Sequence, residues 1–235
     1  MSETPRSGGA PAAARGIGAG PGLEPMDRFL DALDGAEREL VLGMDGPAAI
    51  QAFLDSIPYS SDPFYRCPRR VLRDRRAHCF DGALLAAAAL RRLGHPPLIV
   101  DLYAERDDDH MLALWQRDGC WGALAKSNFV GLRFREPVYV SLRELVMSYF
   151  EVFYNVDREK TLRGYTVPLD LAELDDLDWM GSDGGLDAVA DRLDAFDRMP
   201  VLTPGMIARL SPMDPLSFAS GMAGADPAGL YQPKP

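Results

Sequence analysis

The chain has 235 residues, 47% of them hydrophobic, and a formal net charge of −10. That is the composition of a packed globular domain with appendages. Its acidity excludes a general nucleic-acid binder, which would carry a basic face, and no apolar run reaches the ~18 residues that a membrane-spanning helix needs. Three cysteines without framework spacing (67, 79, 120) and an opening stretch with no apolar signal core point to free thiols in the cytoplasm.

Residues 1–22 are mostly Gly, Ala, Pro and Ser, too poor in bulky apolar side chains to offset their ordering entropy, so a disordered tail is expected. The glycines from Gly16 to Gly22 fail as a dinucleotide loop, because no strand precedes them and the third glycine of the motif is misplaced. Helices are expected at 25–34 and 36–42, closed by Gly35 and Gly43. Another is expected at 47–57, with Pro47 in its first turn and Ile50, Phe53, Leu54 and Ile57 on one face. A Pro-rich irregular stretch follows. Arginines 66, 69, 70, 73, 75 and 76 then face a single acid, Asp74. They read either as a solvated face paired with the acidic C-terminal region or as a carboxylate or phosphate site.

At Arg75-Arg76-Ala77-His78-Cys79-Phe80-Asp81 this basic run meets a small-residue helix expected over 80–93, with Gly94 as its stop. A thiol at a helix N-terminus feels unpaired N–H groups and the positive end of the dipole, which favour the thiolate. Cys67 and Cys120 have no such terminus. A strand follows at 98–103. His110–Gln116 and Cys120–Ala125 then flank Asp118-Gly119, a strong hairpin signal. His110 opens the first of these strands and can serve as a base, whereas His78, next to the cysteine in sequence, is better suited to raising the local positive potential. Asp107-Asp108-Asp109-His110 lacks the ligand spacing of a metal site, so no metal is assigned. Ser141 and Glu144 form a capping box before a helix with an aromatic stripe. Ten acids crowd 167–199, with a helix near Leu186–Phe196, and prolines punctuate the rest.

A cysteine at a helix start, then strands, then a histidine opening a strand and a short hairpin: this order resembles the transglutaminase-like cysteine superfamily. The resemblance covers about residues 66–130. It implies an α+β, papain-like domain, its cysteine helix packed on a small antiparallel sheet, with extra helices at both ends. The implied organisation is a tail at 1–22, the domain at 23–165, an acidic helical extension at 166–222 and a flexible tail at 223–235. It also implies Cys79 as nucleophile and His110 as base in acyl transfer or amide or thioester hydrolysis, without a cofactor, on a peptide, amine or acyl-thioester substrate. The family's histidine-orienting aspartate is replaced by Ala125. A two-residue hairpin turn would set Ser127 opposite His110 and a three-residue turn Asn128; the amide of Asn128 is favoured as the orienting group. Arg75, Arg76, His78 and Ser127 are expected to line the substrate site. The alternative is a catalytically weakened binding module that recognises an acidic or phosphorylated ligand through Arg66–Arg76.

Overall fold

The computed structural model describes residues 24–233; the tail expected at 1–22 lies outside them. Helices α1 (Pro25–Ala32), α2 (Gly35–Gly43) and α3 (Pro47–Ser56) form where the patterning places them. Proline opens α1 and α3. A reciprocal pair opens α2: Glu37 N–H donates to the Asp34 carboxylate at 2.8 Å, and Asp34 N–H to the Glu37 carboxylate at 3.0 Å.

The stretch read as irregular contains a helix, α4 (Pro68–Asp74), that the arginine run had masked. Its Val71 and Leu72 are buried while the arginines point away. Helix α5 (Cys79–Arg92) follows, starting on the cysteine itself and buried from Cys79 through Leu90. Its alanines let neighbours approach on every side, and Gly94, at φ +89°, turns the chain out of it.

Strands β1 (Leu98–Ala104), β2 (His110–Arg117) and β3 (Cys120–Leu124) then form an antiparallel meander. Asp118 and Gly119 both take positive φ, as the tight hairpin turn requires. Strand β4 (Arg135–Tyr139) leads into α6 (Leu142–Met147). Next come β5 (Leu162–Tyr165), β6 (Leu169–Asp170), α7 (Leu186–Asp194), β7 (Met199–Pro200), α8 (Pro204–Ile207) and α9 (Pro215–Gly221).

The sheet runs β4-β3-β2-β1-β5-β7, with β6 paired to the start of β1, and all its pairings are antiparallel. Its faces alternate with period two. Ile99, Ala113 and Trp115 join the α5 side of the core, while Leu102, Leu112 and Leu114 join Tyr149, Phe150 and Phe153 on the other. The mixed α/β architecture with an antiparallel sheet is as expected. Within the segment 166–222, β6 and β7 pair with the sheet itself. Further on, Asp226 is hydrogen-bonded to Asn128. Among the described residues no helix is long and apolar enough to cross a membrane.

Candidate active site

The N-terminus of α5 is held by main-chain and ionic contacts. Tyr59 and Ala77 form a short parallel bridge, with Ser60 N–H on the Ala77 carbonyl at 3.0 Å, which keeps the chain extended into Cys79. Asp81, fully buried in the first turn of α5, accepts from His78 N–H at 2.9 Å and Arg66 N–H at 2.8 Å. Arg66 is itself buried and donates to Ser60 at 2.9 Å, to Asp74 at 3.2 Å and to Asp62.

Two imidazoles then meet the Cys79 sulfur. His78 Nδ1 lies 3.3 Å away and the Asp109 carbonyl 3.9 Å, and His110 lines the same cavity as the sulfur. Burial alone would push this thiol up. The charge of His78, the neighbouring His110 imidazole and the hydrogen bond from His78 outweigh it, holding the thiol well below its ordinary 9.0. In return the thiolate raises His78 from 6.5 to about 9. Both directions favour a thiolate at Cys79 paired with an imidazolium at His78. Burial and the adjacent thiolate raise Tyr59. Cys67 behaves oppositely: burial pushes it to about 12.

His110 opens β2 in a buried position, its Nε2 2.7 Å from the Leu132 carbonyl. A carbonyl only accepts, so Nε2 carries the proton and Nδ1 is the nitrogen left for sulfur. Leu132 ends a 3₁₀ turn (Val130–Leu132) pinned by Arg135. Arg135 donates to the Gly131 carbonyl at 2.9 Å and the Ser148 carbonyl at 3.2 Å and stacks on Tyr149 at 3.9 Å.

The hairpin pairs Arg117 with Cys120, so its turn is the two-residue one, and the register that favoured Asn128 is not formed. The β2–β3 ladder also stops at Ala113↔Leu124, before reaching His110. Beyond that point β3 is drawn toward α3. The Gln51 amide pairs with both main-chain groups of Ala125, at 3.0 and 3.1 Å, and Lys126 Nζ donates to the Leu54 and Ile57 carbonyls. Ser127 Oγ accepts from Phe129 N–H at 3.0 Å, and the Asn128 amide pairs with the backbone of Asp226. His110 is thus oriented by a main-chain carbonyl, although Ser127 and Asn128 do line its cavity with Cys79, Tyr59 and Asp107–Asp109.

Of the other expected site residues, His78 touches the sulfur. Arg75 and Arg76 do not line this cavity. Arg75 stacks on Phe53 at 4.9 Å, and Arg76 pairs with Asp62 at 3.5 Å. Arg70 pairs with Asp183 at 2.6 Å in the acidic C-terminal region, as the solvated-face reading expects. Charges within the run are answered by Asp62, Asp74 and Asp183, which leaves the anion-binding alternative without a free basic cluster among Arg66, Arg70, Arg73 and Arg76. Among the described residues no three His, Cys, Asp or Glu side chains converge as a metal site. Sequence reading missed Tyr59, the Leu132 carbonyl and the segment around Gly229. The first two have no motif, and the third is about a hundred residues away in the chain.

No protein-family model and no curated protein matches the chain. Among solved structures it is similar to Legionella pneumophila LapG, at 15% identity over 46% of this chain and 73% of that one, with a TM-score of 0.34. It is also similar to Legionella pneumophila LapG (EGTA-treated), at 14% identity over 72% and 95%, with a TM-score of 0.37. Likeness at this level carries no weight for the chemistry, which rests on the site itself.

Proposed function

We propose that the protein is a cysteine hydrolase or acyltransferase of the transglutaminase-like kind, working through a thioester on Cys79. The observation that carries this reading is a buried thiol in the first turn of α5 between two imidazoles, one of them anchored through Nε2. The Cys79 sulfur attacks the substrate carbonyl. Cys79 N–H, one of the first-turn donors with no intrahelical partner, faces the developing oxyanion. The C–N, C–S or C–O bond then breaks, and His78, which carries the thiol's proton, gives it to the leaving atom. In the second half His110 takes a proton from water, or from an acceptor amine, which attacks the thioester carbonyl and frees the sulfur; that proton then passes to His78 and restores the starting pair.

His110 is assigned as the base because Nε2 is occupied and Nδ1 is free. His78 is assigned as the cation that keeps the sulfur ionised. The test is incubation with an activated acyl ester, followed by intact-mass and peptide mapping. An acyl adduct on Cys79 that turns over, absent in Cys79→Ala, supports the proposal. Acylation that Cys79→Ala leaves unchanged sinks it. His110→Ala is expected to slow turnover by ~10²–10⁴-fold, the usual worth of a positioned acid–base group.

A further inference from the structure

We propose that the cleft at Cys79 and His110 is a groove for a peptide that carries a glycine in a tight turn, read by Asn128 and Tyr59, and that residues 226–231 of the chain, with Pro227–Gly229 in a 3₁₀ turn, occupy it at rest. This rests on the cysteine chemistry proposed above and adds its substrate class and its control.

The buried Asn128 amide donates to the Asp226 carbonyl at 2.9 Å and accepts from Asp226 N–H at 2.8 Å. A side-chain amide bonded in both directions imitates a neighbouring strand, and it reads main chain without regard to the side chain. Three residues on, Gly229 lies against both walls of the cleft. A Cβ built there would sit 2.8 Å from Tyr59 Cδ1 and 3.1 Å from Asn128 Nδ2. Only glycine fits at that point, and Tyr59 lines the same cavity as Cys79.

Gly229 and Tyr231 close the cavity that Cys79 and His110 line, leaving about 30 Å³, room for about two waters and no acyl group. Upstream, Phe218 of α9 meets Tyr154 at 5.6 Å, and Tyr154 meets Phe129, the neighbour of Asn128, at 5.7 Å. The segment therefore reaches the groove from an anchored helix. A substrate must displace it and meets the same two demands, free main chain at Asn128 and no side chain against Tyr59.

The test uses the full chain with Gly229→Val and, separately, Asp226→Pro, which deletes the N–H that Asn128 receives and lies on an exposed position. Folding is checked by circular dichroism and Cys79 labelling by iodoacetamide is followed by peptide mass. Both variants are expected to label about tenfold faster or more, since access scales with the open fraction, with the pH midpoint of labelling unchanged. A synthetic peptide spanning Gly224–Pro233 is expected to slow labelling of the Gly229→Val variant, and the same peptide with valine for its second glycine is not. Unchanged rates in both variants, or equal protection by both peptides, overturn the inference while leaving the cysteine reading intact. A labelling midpoint near 9.0 in every protein overturns the cysteine reading instead.

Discussion

At the scale of single residues, orienting the histidine and compensating the charge of the sulfur fall to two different groups. Orientation of His110 falls to the Leu132 carbonyl, a dipole that fixes the ring without neutralising it. Charge compensation of the sulfur falls to His78, the N-cap of the same helix. His78→Gln removes the cation that lowers the thiol, so the Cys79 pKa is expected to rise toward 9.0, with the neutral-pH alkylation rate falling about tenfold per unit of the rise. An unchanged alkylation profile in that variant would assign the lowering to His110 alone. The pH dependence of kcat/KM in the unaltered protein follows from the same pair. Acidification through the lowered Cys79 pKa protonates the nucleophile, and alkalinisation through about 9 removes the His78 proton. A bell is expected with its upper limb near that value, and a profile still rising there would contradict the pairing.

At the scale of elements, what places the cysteine is the set of contacts around the first turn of α5. Arg66 is buried among Asp62, Asp74 and Asp81. Arg66→Met leaves the fully buried Asp81 without its cation and is expected to cost about 3–5 kcal/mol, seen as a lower urea midpoint; a midpoint unchanged from the parent would refute that role. Gly82 marks where α5 passes over the end of β3. A Cβ there would sit 2.3 Å from Lys126 Cβ, so Gly82→Ala should lose about 1–3 kcal/mol by overpacking and disturb residues 125–128, again read by urea denaturation. The elements that carry their own local chemistry were legible in the sequence. Cys79–Arg92 has its apolar run and Gly94 stop, and the hairpin has Asp118-Gly119. Helix α4 was not, because its buried face is only Pro68, Val71 and Leu72 beneath a charge run. Strands β4 to β7 are two to five residues long, and β4 carries Pro137, which only an edge strand tolerates.

At the scale of the molecule, the parts that sequence reading could not join are those whose partners are distant in the chain. Asn128 is bound by Asp226, Ala125 by Gln51, and Cys67 N–H by Asp183. The hairpin arithmetic assumed that β3 keeps its register as far as His110, and tertiary contacts with α3 draw the chain away first. Cys79 and His110 themselves were legible because each sits at the start of a regular element. The proposed chemistry requires Cys79 to be held as a thiolate in this cleft, and that state can be titrated directly. The measurement is the ultraviolet absorbance of thiolate across pH, taken as the difference between the protein and its Cys79→Ala variant. Cys120 is common to both proteins, and Cys67, pushed up to about 12, stays protonated throughout. One thiolate already present at neutral pH and lost only on acidification is the predicted result; a difference that first appears near 9.0 would contradict the account.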